Sequence, residues 1–103
     1  MQKLVRDKIP NIIESQGQKS NTTIVENDLE YYNFLKTKLN EEVLEFQQST
    51  DSINEKEELA DILEVIDAIC DFKKIDKEEL QKIKLKKLNE RGGFKNRIVL
   101  IKD

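Results

Sequence analysis

Two stretches of the chain repeat apolar residues at helical spacing, and this repeat constrains the fold more than any other feature. In residues 29–49 the repeated residues are Tyr32, Leu35, Leu39 and Phe46. In residues 55–73 they are Leu59, Ile62, Ile66, Ile69 and Cys70. Side chains recur about every 3.6 residues on one face of a helix. The pattern therefore predicts two long amphipathic helices, each with one face to bury.

Residues that favour helix ends bound these segments. Asn27 and Asp28 are both candidates to cap the first long helix, and Asn27 with Glu30 resembles a capping box. A polar loop is predicted over residues 49–54. A third helix is predicted over residues 77–91, with Asp76 as its cap and Gly92 as its stop. Three helices of this length predict an all-α fold.

The two ends of the chain predict shorter elements. A short helix is predicted within residues 1–17, with Asp7 as its cap and Pro10 in its first turn. Residues 22–25 and 97–101 are rich in β-prone side chains, and we predict that both are short extended segments that could pair with each other.

The overall composition limits the function classes. With 103 residues the chain is predicted to be one domain, residues 1–103, in which a helical bundle is completed by oligomerisation. The net charge of −3 argues against a nucleic-acid partner. The absence of histidine excludes histidine-activated nucleophiles and imidazole zinc sites. With neither a signal peptide nor a long apolar run, we expect a cytoplasmic protein without a membrane partner.

Acidic residues fall close to the apolar faces of both long helices. On the first helix Glu42 lies inside the apolar stripe and Glu45 lies on its flank. On the second helix Glu58 borders the stripe and Asp61 lies one turn further on. An isolated carboxylate is costly to bury, so it must be protonated, paired or bound to a metal.

A shared divalent cation would remove the repulsion between four converging carboxylates. Such all-oxygen ligand sets suit Mg²⁺, Mn²⁺ or Ca²⁺, and Mg²⁺ keeps waters that phosphate oxygens can replace. This interpretation predicts metal-assisted phosphoryl chemistry. The alternative is that these acids lie on solvated helix faces and pair with lysines at helical spacing, as Lys38 would with Glu42.

The acidic residues belong to a wider set of motifs. The sequence E-E-x-x-E occupies residues 41–45 and E-x-x-D occupies residues 58–61. The chain opens with K-L-V-R-D-K-I-P at residues 3–10, and R-G-G-F follows at residues 91–94, with Lys87 four positions before its arginine. In these motifs and their order the chain resembles the MazG-like, all-α nucleoside triphosphate pyrophosphatase superfamily. It resembles more closely a small subfamily described as phosphoribosyl-ATP pyrophosphohydrolase-like.

The resemblance implies roles for the acids. Glu42, Glu45, Glu58 and Asp61 would hold Mg²⁺, with Mn²⁺ as the alternative ion. Glu42 would also be catalytic, together with Glu41, which would orient water from outside the metal's ligand shell. The fold implied is a helical bundle of this pyrophosphatase type, assembled as a homodimer or homotetramer.

The resemblance also implies a reaction. The family cleaves nucleoside triphosphates between the α and β phosphates, giving a nucleoside monophosphate and pyrophosphate. The acidic motifs are more typical of the branch that removes modified or surplus nucleotides than of the histidine-pathway enzyme. Phosphoribosyl-ATP hydrolysis therefore stays as an alternative, as does a non-catalytic module that binds nucleotides or helical partners.

A polyphosphate substrate needs cations beside the acids. The candidate substrate-binding residues are Lys38, Arg6, Lys8, Lys87 and Arg91. A surface ion pair is the alternative for the lysine at position 38, and salt bridges that fix the N-terminal segment are the alternative for positions 6 and 8. The aromatic residues are expected in the core or an interface rather than as base-stacking groups.

Overall fold

The protein is all-helical. In a computed structural model that describes residues 2–101, the elements are α1 (Ile9–Ser15), α2 (Asp28–Gln48), α3 (Ser52–Lys73) and α4 (Lys77–Arg91). The all-α prediction is confirmed. Residue 1 and residues 102–103, the ends of the predicted domain, lie outside the described residues. In the described part of the chain, no helix has the length and apolar character needed to cross a membrane.

The caps of α2 and α4 are as predicted. The Asn27 side chain accepts a hydrogen bond of 2.9 Å from the backbone N–H of Glu30, at the start of α2. The Asp76 carboxylate accepts one of 3.0 Å from the N–H of Glu78, at the start of α4. α4 ends at Gly92, whose φ of +80° is a conformation that L-residues other than glycine rarely adopt.

The start of α3 differs from the prediction. The loop predicted over residues 49–54 is wrong in its second half, because α3 begins at Ser52. The reason is Asp51, whose carboxylate accepts hydrogen bonds from the backbone N–H of Asn54 at 2.9 Å and from its side-chain amide at 2.8 Å. These two bonds cap the helix three residues earlier than the apolar repeat indicated.

Two predictions for the chain ends are corrected. Helix α1 has Pro10 in its first turn as predicted, but its N-cap is Lys8 and it has no side-chain cap in the described structure, so Asp7 does not cap it. Residues 22–25 and 97–101 form no strand within residues 2–101. An isolated pair of short strands gains little without a face to bury, and Ile24 is 82% exposed.

Helices α2 and α3 form an antiparallel hairpin, since a connection of only three residues joins them. Among the described residues they are the one pair of helices with extensive contact. The buried apolar residues of the hairpin are Leu35 on α2 and Val65 and Cys70 on α3. At its open end the ring of Phe72 packs edge-on against Tyr31, with centroids 5.1 Å apart.

The chain leaves much apolar surface exposed. Helix α4 has no buried residue in the described structure, and the side chain of Lys77 at its start reaches Asp67 at 3.6 Å and Asp71 at 3.7 Å. The accessible surface is 9712 Å² for a mass of 12.1 kDa, whereas a compact monomer of this mass exposes about 6,000 Å². The radius of gyration is 17.6 Å, against about 13 Å for a compact domain.

Removing the cap of α3 should destabilise the hairpin. We expect Asp51→Ala to lower the free energy of unfolding by about 1 kcal/mol, because the N–H of Asn54 loses its acceptor. Asp51→Asn keeps a capping oxygen and should stay within a few tenths of a kcal/mol of the parent. Urea denaturation followed by circular dichroism measures both. Equal stability of Asp51→Ala and Asp51→Asn would contradict this role.

Candidate functional site

Three carboxylates converge where α2 and α3 face each other. One oxygen from each of Glu42, Glu58 and Asp61 lies within 4.8 Å of the other two. Glu42 comes from α2, and the other two residues are three positions apart on α3, so one turn of helix brings them to the same side. These side chains form a group of oxygens that could hold a metal ion.

Two oxygens of this group are buried without a partner. Glu42 is only 6% exposed. Its Oε2 and the Oε2 of Glu58 have no hydrogen-bond partner within residues 2–101. Buried polar atoms in folded proteins are almost always paired, because an unpaired one costs the full penalty of its desolvation. Two such oxygens beside a third carboxylate fit a cation with oxygen ligands, such as Mg²⁺ or Mn²⁺.

Burial and mutual repulsion raise the pKa of Glu42 and of Glu58. Desolvation raises the pKa of Glu58 to about 7, and the neighbouring carboxylates of Glu45 and Glu42 add to this shift. Desolvation also raises the pKa of Glu42, with a further rise from Glu45 and a partial offset by Lys38. Near neutral pH Glu58 is therefore partly protonated in the metal-free protein, and a bound cation would displace its proton.

Lys38 is paired with acids of its own helix. Its Nζ lies 3.3 Å from Oε2 of Glu41 and 3.3 Å from Oε1 of Glu42. Although burial opposes its charged form, these two carboxylates keep the pKa of Lys38 above its ordinary value. The alternative of an ion pair on the helix surface thus describes Lys38. This ion pair involves only Oε1 of Glu42, and Oε2 stays without a partner in the described structure.

Glu45, the fourth predicted ligand, lies at the rim. It is exposed, and it is not one of the three residues whose oxygens lie within 4.8 Å of one another. Its carboxylate is close enough to raise the pKa of both Glu42 and Glu58. Its role as a ligand stays a prediction, and so does the catalytic role of Glu41, which is half-buried beside Lys38.

Arg6 reaches the site from the N-terminal segment. Its Nη2 donates a hydrogen bond of 2.6 Å to Oδ1 of Asp61, 55 positions away in the sequence. Both side chains are partly exposed, so this ion pair lies at the mouth of the site rather than inside it. The predicted substrate cation Arg6 is therefore beside the carboxylates, and the alternative of a salt bridge that fixes the N-terminal segment also holds for it.

The other three predicted phosphate ligands lie elsewhere. Lys8, Lys87 and Arg91 are exposed, and in the described structure they do not line the groove next to the carboxylates. Two of them are carried by α4, which has no buried residue in the described structure. Their contact with substrate phosphates stays a prediction.

The carboxylates open into a groove of about 630 Å³. One side of the groove is the hairpin, and the other side is the N-terminal segment at Leu4, Val5, Arg6 and Asp7. Sequence reasoning missed Leu4 and Val5 as lining residues. The available signal was an apolar pair directly before Arg6 in a segment with no helical repeat of its own.

Comparison with known proteins gives no match: no protein-family model, no curated protein and no solved structure is significantly similar to this chain.

The metal-free protein should lose stability as the pH rises. The pKa of Glu58 is about 7 when folded and near 4.5 otherwise, so between these values the folded state binds more protons than the unfolded state. In EDTA, we expect the midpoint of thermal unfolding of the parent to decrease, relative to that of Glu58→Gln, as the pH is raised from 5 to 7.5.

The matched control for this comparison is Glu57→Gln, which removes an exposed acid from the neighbouring position of α3. Its unfolding midpoint should follow that of the parent at every pH. If the difference between the parent and Glu58→Gln does not change with pH, the Glu58 carboxylate is not destabilised by its neighbours.

Proposed function

We propose that this protein is a Mg²⁺-dependent nucleoside triphosphate pyrophosphohydrolase that cleaves between the α and β phosphates. The observation that carries the proposal is the pair of buried, unpartnered oxygens of Glu42 and Glu58 beside the carboxylate of Asp61. Resemblance of the motifs at residues 41–45 and 58–61 to the MazG-like superfamily supplies the reaction. Removal of modified or surplus nucleotides is the role that the acidic motifs favour.

The metal ligands in this proposal are the three clustered acids, with Glu45 joining them from the rim. When bound, Mg²⁺ would neutralise these carboxylates and polarise a phosphoryl oxygen. Phosphate oxygens would replace some of the waters that Mg²⁺ keeps. Mn²⁺ has the same preference for oxygen ligands and is the expected substitute.

The neighbouring residues have separate tasks. Lys38 holds Glu41 through one oxygen, Oε2, so the other oxygen of Glu41 can accept a hydrogen bond from the attacking water. Among residues 2–101, Lys38 and Arg6 are the two cations in contact with the acidic cluster. Their attraction to Glu42 and Asp61 weakens once a cation shares those carboxylates, which leaves both side chains able to bind phosphate oxygens.

Assembly of two or four copies belongs to the same proposal. Leu59 and Leu63 on α3 are 46% and 62% exposed, and Val43 on α2 is 37% exposed. On helical projection they lie on the side of the hairpin away from the groove. Covering them with a second hairpin would complete a four-helix core. In such an assembly Lys87 and Arg91 could reach a phosphate bound by the neighbouring copy.

Phosphoribosyl-ATP hydrolysis is the second candidate for the reaction, since the same cluster of carboxylates can serve both substrates. The product screen that separates them uses pyrophosphate release from ordinary nucleotides, modified nucleotides and phosphoribosyl-ATP. A module that only binds would retain a nucleotide in this screen without releasing pyrophosphate.

Neutralising the most buried ligand should abolish turnover. We expect Glu42→Gln to lower pyrophosphate release by more than a hundredfold, because loss of even an outer-shell partner of a metal costs roughly 10- to 100-fold. Mg²⁺ should raise the unfolding midpoint of the parent and not that of the variant. Glu57→Gln is the control and should retain turnover. Full turnover of Glu42→Gln, or of the parent in excess EDTA, would rule out the proposed reaction.

A charge on the exposed apolar face should disrupt assembly. We expect Leu63→Lys to reduce the mass measured by light scattering to that of one chain, because the lysine would have to be buried between copies. Leu44→Lys is the control, since Leu44 is also exposed but lies on the opposite side of α2 from the apolar stripe. A parent protein that already has the mass of one chain would contradict the proposed assembly.

A further inference from the structure

We infer that the groove beyond the carboxylates binds the base and ribose of the nucleotide, and that residues 2–6, here called the strap, form its outer wall. This inference rests on the proposed function, because it assigns the part of the same substrate that the metal would not hold. It adds a binding site for a flat heterocycle, built by residues that the acidic motifs do not include.

The groove runs along the hairpin from an acidic end to an aromatic end. On α2 its lining residues extend from Glu42 to Tyr31, and on α3 they extend from Asp61 to Phe72. Each pair is separated by 11 positions, which corresponds to about 16 Å of helix. The groove is therefore long enough to hold a phosphate chain near the acids and a nucleoside further along.

The chemistry of the lining changes along this length. Arg6, Lys38 and the carboxylates surround one end, whereas Leu35, Val65 and Ala68 form the floor further along. The exposed acids Glu64 and Asp71 also line this further part. At the far end the rings of Tyr31 and Phe72 meet edge-on at 5.1 Å. Bases stack on aromatic side chains and pack on apolar surface. The aromatic end thus suits a base, and the acidic end suits its phosphates.

The strap crosses this groove from one helix to the other. Gln2 lies at α2 beside Phe34. Leu4 and Val5 line the groove. Arg6 donates a hydrogen bond to Asp61 on α3. Within the described chain, this last contact is the one side-chain hydrogen bond or ion pair that joins residues 2–26 to the hairpin. The strap is consequently a wall that one ion pair and two apolar side chains hold in place.

Size and continuity favour a nucleoside over other occupants. The volume of about 630 Å³ lies within the roughly 300–1,000 Å³ typical of small-molecule sites. The groove is continuous with the cluster of Glu42, Glu58 and Asp61, since two of these residues line it. A purely apolar ligand would leave this charged end unused, whereas a nucleotide with its metal would use both ends.

Filling the floor of the groove tests this assignment. Ala68 lies half-buried in the lining, so Ala68→Leu adds bulk where the base would lie. The ligands are the α,β-methylene analogues of ATP and dUTP and inorganic tripolyphosphate, each titrated calorimetrically with Mg²⁺ present. For whichever analogue binds the parent more tightly, we expect Ala68→Leu to lower the affinity by about tenfold or more. The affinity for tripolyphosphate should not change.

Ala60→Leu is the matched control, because Ala60 is exposed on the same helix and does not line the groove. Val5→Ser tests the strap and should weaken binding of the nucleotide analogue without changing the affinity for tripolyphosphate. This variant still tests the inference if Ala68→Leu fails to fold. Unchanged nucleotide affinity in the folded variants, or an equal loss for tripolyphosphate, would overturn the inference.

The outcome also separates this inference from the proposed function. If tripolyphosphate binds the parent as tightly as both nucleotide analogues do, the groove does not bind the base and this inference fails. The proposed metal and phosphate site would still be supported. If no ligand binds in the presence of Mg²⁺, the proposed function and this inference fail together.

Discussion

The central constraint in this protein is the burial of Glu42 between two helices. Its Oε2 and the Oε2 of Glu58 are buried and unpartnered, and one lysine covers only the other oxygen of Glu42. Such an arrangement costs stability unless something binds those oxygens. The pKa of both residues is raised, so burial and repulsion favour their neutral forms in the metal-free site, whereas a bound cation would favour their charged forms. A site that costs stability when empty is typical of residues kept for function.

The surrounding fold serves this site more than it serves a core of its own. The α2–α3 hairpin buries few apolar residues, and the surface of the whole chain is far larger than a compact monomer of the same mass would expose. The same two helices provide the carboxylates on one side, the groove beside them, and the exposed leucines on the other side. This division explains why assembly and catalysis enter as one proposal, since a second hairpin would stabilise the helices without covering the groove.

Much of this was predictable from the sequence, for a physical reason. The period of 3.6 residues places Leu35 and Glu42 on one face of α2 whatever the rest of the chain does, so the helices and the inward acids could be predicted locally. The cap at Asp51 was missed because the apolar repeat starts later than the helix. The pairing considered for the predicted extended segments at residues 22–25 and 97–101 does not form, because strand propensity alone does not supply a partner. The contact between Arg6 and Asp61 is separated by 55 positions, and no local pattern encodes it.

The most direct test of the central claim is a crystal structure of the protein grown with Mn²⁺, with anomalous scattering recorded at the manganese edge. We expect an anomalous peak between Glu42, Glu58 and Asp61, within bonding distance of one oxygen from each. A well-ordered structure in which these carboxylates have no anomalous peak, at Mn²⁺ concentrations that support hydrolysis by the parent, would contradict it.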